Sequence, residues 1–383
     1  MSRPPLLFYC QHSVGLGHLM RSYALCERLA ERFRVVLVCG GPLPRGIAPP
    51  SCVEIVALPA LGIGPAGRFV SHHPNLPVER AWAARRERIL ATVQSLRPAA
   101  VLVELFPFGR AKFARELVPL LAAARRLGAL TACSLRDILV SRRRDQRAHD
   151  ERACMLANAH LDAVLVHCDP GFARLEDTFG AHARLAVPVE YTGFVVGGPP
   201  GVGRRPRRFV VSAGGGRVGG PLLRAAAAAQ RSLWPRTGLP MRLIGGPFCP
   251  AAEWRALTRA AGDGVELVRT APDFGAELRE AAASLSQCGY NTALEVLRAG
   301  VPALVVPYAT AEEDEQRRRA RRLARLGALR VLDPARLEPR TLARELELLL
   351  EFEPARPRLD LDGARRTCEL LWELVAPIEA RSA

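Results

Sequence analysis

Short apolar runs alternate with longer stretches of helical period along most of the chain. In the first half, Leu6–Cys10, Val35–Cys39, Val53–Ala57, Ala100–Leu105, Leu130–Ser134, Ala163–His167 and Val189–Thr192 are nearly continuous apolar runs of strand length. Between them, Leu19, Tyr23, Cys26, Ala30 and Phe33 recur at helical spacing, and Arg80–Leu96 and Lys112–Arg126 carry further helical patterns. A run without polar alternation predicts a strand buried on both faces. Such strands separated by amphipathic helices predict a parallel sheet covered on both sides. The segment "GGPPGVGRRPRR", Gly197 to Arg208, has no apolar period and is rich in Gly and Pro, so it reads as a boundary. The alternation then restarts with strands at Phe209–Ser212 and Met241–Gly245 and in "VELV", "ASLSQCG" and "PALVVP". At 383 residues the chain is too long for one ordinary core. The expectation is an α/β protein of two doubly wound units, residues 1–198 and 209–362, with a linker at 199–208 and a last helix in 363–383 returning to the first unit. Ligands of open α/β sheets bind beyond the carboxyl ends of the strands, so the cleft between the units is the place to look for chemistry.

The net charge is +16, and Lys112 is the one lysine among 54 basic residues. Arginine, alanine and proline are all abundant, which is the drift of a GC-rich genome. The arginines are scattered without aromatic interleaving or a recognisable nucleic-acid module, so nucleic acid is not an expected partner. Two charged stretches offer weak peripheral membrane contact or contact with a phosphorylated acceptor: "SRRRDQRAHDER", Ser141 to Arg152, and Trp82 among Arg80, Arg85, Arg86 and Arg88. The default for either is a solvated helix face or loop. No apolar run is long enough to span a bilayer, and the start at Leu6 is too short for a secretory signal. The expected location is cytoplasmic, at most peripheral to the inner face of the membrane. The ten cysteines form no CxxC pair and no zinc-like spacing. Cys10, Cys39, Cys133 and Cys168 lie in or beside strand runs and read as buried reduced thiols.

The stretch "HSVGLGHLMR" follows the first strand. Gly15 and Gly17 suit a tight turn where backbone approaches a ligand. The turn does not need His18, whose imidazole can deprotonate a hydroxyl or a water near neutral pH. His12 is its local rival. Glu104 in "VELFPFGR" and Arg136 and Asp137 in "SLRDI" end other first-unit strands, where they can orient His18 or meet an acceptor. In the second half, Gly289, Tyr290 and Asn291 open a helix whose free N–H groups make a ready anion site. Glu295 lies about one turn further and can accept hydrogen bonds from both hydroxyls of a ribose. Glu315 and Gln316 end an acidic loop and can hold sugar hydroxyls. No DxD signature stands in this region, so no metal is expected.

In this order, these motifs resemble the donor-binding domain of GT-B glycosyltransferases, among them the N-acetylglucosaminyltransferases that form lipid II. The resemblance implies a GT-B fold of two Rossmann-like domains facing each other across a cleft. It implies that Gly289 and the helix start bind the nucleotide diphosphate, that Glu295 binds the ribose, and that Glu315 and Gln316 meet the donor sugar. Glu315 stands where that family has a glutamine. "SAGGG", with Gly214, Gly215 and Gly216, fits the family's second phosphate-facing loop, and "TAPDF", with Thr270 and Ala271, falls where the uracil is packed. "GLGHLMR" resembles the G-x-G-H-x-x-R loop of the nucleotide-sugar hydrolases of pseudaminic acid synthesis, which implies catalysis by His18 with Arg21 completing the motif. "FPFGR", "SLRDI", "VHCDP" and "YTGFV" resemble a bacterial family of predicted glycosyltransferases over nearly the whole chain. The implied activity is hexosyltransferase-type: inverting, metal-independent transfer without a cofactor. The donor is a nucleotide diphosphate-sugar, UDP-linked and with UDP-GlcNAc as a candidate. The acceptor is a glycan, a lipid-linked group or a small molecule. A nucleotide-sugar hydrolase using water and a non-catalytic nucleotide-sugar-binding subunit stay open. A dinucleotide oxidoreductase fits poorly, because "GLGH" lacks the third glycine and no acidic residue closes Val35–Cys39.

Overall fold

The computed structural model describes residues 3–12, 16–44, 46–64, 67–73, 75–198, 201 and 208–382, with side chains to residue 376. Gly15 and nearly all of the expected linker 199–208 lie outside the described residues. The first sheet is built from β1 (Pro5–Cys10), β2 (Arg34–Cys39) and β3 (Glu54–Ala57), then, after an antiparallel hairpin β4 (Leu61–Ile63) and β5 (Phe69–Ser71), from β6 (Ala100–Glu104), β7 (Leu130–Arg136), β8 (Ala163–His167) and β9 (Val189–Tyr191). Its seven strands are parallel in the order β3-β2-β1-β6-β7-β8-β9. The helices α1 (Gly17–Leu29), α2 (Val78–Leu96), α3 (Ala114–Arg126) and α4 (Gln146–His160) connect them. The second sheet has six parallel strands in the order β12-β11-β10-β13-β14-β15. They are β10 (Arg208–Ser212), β11 (Met241–Ile244), β12 (Val265–Val268), β13 (Ala281–Ser286), β14 (Ala303–Val305) and β15 (Arg330–Val331). Its helices are α5 (Gly220–Thr237), α6 (Ala251–Ala260), α7 (Phe274–Arg279), α8 (Tyr290–Ala299), α9 (Glu315–Arg325) and α10 (Pro339–Leu350), and α11 (Gly363–Ser382) follows.

The apolar runs are buried as their lack of alternation requires: β1, β2 and β6 carry Leu6–Cys10, Val35–Cys39 and Ala100–Val103 with almost no exposed surface. The stripe of Leu19, Tyr23 and Cys26 turns α1 onto one face of the first sheet, and Cys368, Leu371 and Val375 of α11 join the same cluster. Phe33 and Trp372 meet edge to face at 5.7 Å. The chain therefore leaves the first unit after β9 and returns to it in α11. The two crossings run side by side: Phe194 N–H donates to Asp360 O at 2.7 Å and Gly363 N–H to Phe194 O at 2.9 Å. Gly193, with φ +82°, makes this close approach possible, since a Cβ there would strike the Asp360 carboxylate.

The structure differs from the sequence expectation in two places, and in a third, the run Ser141–Arg152, the expected helix or loop carries one buried side chain. The β4–β5 hairpin goes unnoticed because strands of three residues leave no periodic signal. The charged run Ser141–Arg152 is loop up to Asp145 and helix beyond, with Asp150 buried and accepting from Gly180 N–H at 2.9 Å. The arginines around Trp82 do not form one surface patch, because Trp82 and Arg85 are buried. The Arg85 guanidinium bonds both oxygens of Glu116 (2.9 and 2.6 Å), the carbonyls of Gly40 (2.7 Å) and Pro59 (2.9 Å), and the side chains of Tyr9 and Gln11. Helix α2 therefore offers no Arg85–Trp82 contact to a membrane. No described helix is long and apolar enough to cross one.

Breaking this pair leaves an uncompensated buried guanidinium. Glu116→Ala is expected to lower unfolding stability by about 3–5 kcal/mol, read as a shift of the urea midpoint at unchanged m-value.

Candidate active site

Each sheet has one point where the chain's winding reverses, because the strands on its two sides send their connections in opposite directions. In the first sheet it lies between β1 and β6, and in the second between β10 and β13. Such points leave a crevice beyond the strand ends that no crossover helix fills. His18 opens α1 just after β1, and Glu104 is the last residue of β6, so both stand at the first crevice. The glycine loop after β10 and the start of α8 after β13 stand at the second. The two crevices meet: Asn291 Nδ2 donates to Gly17 O at 3.1 Å, and the Arg21 guanidinium lies 5.0 Å from the Tyr290 ring centre.

His18 Nδ1 is 2.7 Å from Glu104 Oε1, and its side chain is 18% exposed, while Glu104 is fully buried. An ionised carboxylate only accepts, so Nδ1 carries the proton and Nε2 presents its lone pair. Arg21 pairs with the same carboxylate oxygen. Burial alone would raise the Glu104 pKa, but His18 and Arg21 outweigh it and hold the carboxyl well below the usual range. Burial pushes the His18 imidazole down to about 3, against the pull of Glu104 and helped by Arg110, so His18 is neutral at pH 7. His12 is not part of this pair: it is buried and its Nε2 bonds Pro42 O at 2.8 Å.

In the second unit, Gly214 (φ +57°) and Gly216 (φ +90°) bend the loop after β10. A Cβ on Gly216 would come within 2.9 Å of Cys249 N, so the turn is built on backbone contact alone. Gly214 and Gly289 have open space where a Cβ would stand. Gly289 caps α8, leaving the N–H groups of Tyr290 and Asn291 at the crevice. Glu295 is half-buried one turn on, without a hydrogen bond among the described residues. Burial first, and then the Asp273 carboxylate, push its carboxyl up to about 8. Thr270 and Ala271 are half-exposed in the loop after β12.

Three side chains expected to face a ligand do other work. Asp137 is buried and takes a two-pronged bond from Arg319 of α9, with Nε at 2.7 Å and Nη2 at 2.8 Å. Both oxygens are occupied, so it ties the two units together instead of meeting an acceptor. The Tyr290 ring is buried too, its hydroxyl donating to His167 O at 2.9 Å and accepting from Val195 N–H at 3.0 Å. Only its backbone remains for a donor. Gln316 Oε1 accepts from Cys288 N–H and Tyr308 N–H, both at 3.1 Å, which aligns the loops after β13 and β14. Its amide nitrogen is the part left for a sugar. Glu315 faces Arg136 across the cleft at 3.8 Å. Arg319 escapes sequence reasoning because it is one arginine among many in "EQRRRARRLAR". Its signal is position: it shares the buried stripe of α9 with Ala320 and Leu323.

Comparison with known proteins agrees with this architecture. Residues 252–359 match the profile of the glycosyltransferase family 28 C-terminal domain. Over 104 residues the chain is 35% identical to the UDP-N-acetylglucosamine–N-acetylmuramyl-(pentapeptide) pyrophosphoryl-undecaprenol N-acetylglucosamine transferase of Nitrosococcus oceani, covering 26% of this chain and 29% of that one. The protein of the same name from Gloeobacter violaceus is 34% identical over 106 residues, 26% of this chain and 30% of its own. The chain thus aligns with under a third of the length of these relatives. Among solved structures, Acinetobacter baumannii MurG superposes with a TM-score of 0.59 at 18% identity, covering 97% of this chain and all of its own. Phytolacca americana UGT2, in complex with UDP-2-fluoroglucose and pterostilbene, gives 0.59 at 17% identity, covering 100% of this chain and 96% of its own. The chain as a whole has the GT-B fold of these glycosyltransferases, and its residues 252–359 are similar to the glycosyltransferase family 28 C-terminal domain.

Proposed function

We propose that this protein transfers a sugar from a nucleotide diphosphate-sugar to an acceptor hydroxyl, with inversion and without metal. The observation that carries the reading is the His18–Glu104 pair at one winding reversal, set against the glycine loop and the α8 N-terminus at the other. The neutral imidazole takes the acceptor proton on Nε2. The acceptor oxygen bonds to the anomeric carbon as its bond to the diphosphate oxygen breaks. Glu104 stabilises the imidazolium so formed and keeps the proton on Nδ1 in the resting tautomer. The diphosphate leaves onto the N–H groups of Tyr290, Asn291 and Gly215, since the Gly214 and Gly216 N–H groups already donate to Ser212 Oγ and Ala213 O. Glu295 takes the ribose, Thr270 and Ala271 line the base, and Glu315 with the Gln316 amide meets the sugar. Arg21 holds Glu104, and Gly17 lets the acceptor approach. A uridine nucleotide is favoured by the relatives named for UDP-N-acetylglucosamine and by the UDP-sugar held in the Phytolacca protein.

The test is purified protein incubated with UDP-, GDP- and dTDP-sugars, with nucleotide and free sugar followed over time, first without acceptor and then with an acceptor panel. Binding of one donor with negligible release, and turnover only with an acceptor, is the expected result. Rapid release of free sugar that is lost in His18→Ala would identify water as the acceptor and the protein as a hydrolase. Tight donor binding with turnover indifferent to His18→Ala would leave a binding subunit. For the transferase, His18→Ala is expected to lower kcat by about 100- to 10,000-fold, with UDP affinity unchanged.

Glu295 makes a separate expectation. Its free carboxyl, at about 8, holds a proton at pH 7. Accepting two ribose hydroxyls requires the carboxylate, so UDP binding expels that proton. UDP affinity should rise from pH 7 to pH 8, by at most about tenfold per unit, and then level off. Calorimetry in buffers of different ionisation enthalpy reads the proton release, and Glu295→Gln should abolish both.

A further inference from the structure

The reaction proposed above leaves two charged groups beside the base without a task. Arg110 ends the loop that follows Glu104, and both Leu105 (φ +65°) and Arg110 (φ +58°) hold the left-handed conformation that side chains rarely adopt. The loop is shaped to put Arg110 where it is. Its side chain is half-buried, its Nε is shut off from solvent without a partner, and its guanidinium makes no hydrogen bond or ion pair among the described residues. Arg110 lies near enough to His12, His18 and Glu104 to bias the ionisation of each. Arg136 ends the neighbouring strand β7. Its Nε is orphaned too, and among the described residues its one ion pair is the long 3.8 Å contact with Glu315.

Other buried arginines of this protein are well supplied. Arg85 has Glu116 and two carbonyls, and Arg319 has Asp137 and Cys288 O, while Arg21, Arg208 and Arg242, whose Nε atoms are also unpartnered, each have a carboxylate on the rest of the guanidinium. Two neighbouring guanidinium groups short of anions, beside a base, form half of an ion-binding site. Both come from the first unit, on the same side as His18, whereas the second unit has its own N–H groups for a diphosphate. We infer that Arg110 and Arg136 receive a carboxylate or phosphate carried by the acceptor close to its reacting hydroxyl, so the acceptor is an anionic molecule. A guanidinium matches either anion in a planar two-pronged fit. The inference rests on His18 being the base that activates the acceptor.

The test uses full-length protein saturated with UDP, so that the diphosphate positions are filled. It is titrated by calorimetry with inorganic phosphate and, in a second arm, with succinate. Binding of at least one anion to the UDP-loaded protein is expected, weakened about tenfold or more in Arg110→Gln, less in Arg136→Gln, and partly kept in Arg110→Lys. Unchanged UDP affinity in the variants shows that they are folded. Which anion binds tells a phosphorylated acceptor from a carboxylated one. Anion binding that is indifferent to Arg110→Gln overturns the proposal. So does binding that disappears on UDP loading, which would give these arginines to the donor diphosphate. If UDP fails to bind the wild-type protein, the donor reading of the second unit falls. Phosphate titration of the UDP-free protein and Arg110→Gln still reads the arginine pair.

Discussion

A carboxylate buried at the end of a central strand organises this molecule. Glu104 has no access to water, and an ion of that kind is tolerated only when fixed donors replace its hydration. His18 and Arg21, one helical turn apart on α1, supply them to Oε1, while Oε2 has no partner among the described residues. The first bond sets the tautomer of the imidazole. The second holds Arg21 over the ring of Tyr290, whose hydroxyl bonds His167 O and Val195 N–H. One charge in the first unit therefore positions the candidate base and, through a single arginine, the residue that opens α8 of the second.

The fold was legible because its strands carry no polar alternation and its helices carry an apolar stripe, and both patterns follow directly from burial on two faces. Most of the candidate site was legible for a related reason. His18, Glu104 and Gly289 stand at or just beyond strand ends, with Glu295 in the helix that Gly289 opens, and in a parallel sheet those ends collect on one edge. What stayed hidden was pairing between distant residues. Arg85 looks like surface charge until Glu116 is brought beside it, and Asp137 looks like a ligand contact until Arg319 fills both of its oxygens. In a chain whose cations are almost all arginine, the residue type alone carries little information. The position of an arginine on a buried helical stripe carries more.

The two units are joined by polar bonds as well as by apolar packing. Asp137 with Arg319, Asp177 with Arg322 at 2.7 Å and Arg142 with Asp314 at 3.0 Å all cross between them. Around Tyr290, Phe194 and Phe172 the apolar core itself runs from one sheet toward the other. The buried Asp137–Arg319 pair adds modest net stability but costs several kcal/mol when misaligned, and the more exposed pairs add to the same preference. They favour one seating of the two units over many similar ones. That seating brings the His18 crevice and the glycine loops together.

The double crossing at Gly193–Val195 and Asp360–Gly363 has a mechanical consequence. A body held by one strand of chain can swivel in any direction. A body held by two strands bonded side by side resists twisting and bends most easily about the line through both. The second crossing, contributed by the return of the chain into α11, turns a loose tether into a door hinge. Whatever relative motion the two units have is thereby confined to one direction, and the His18 crevice and the glycine loops keep their register through it.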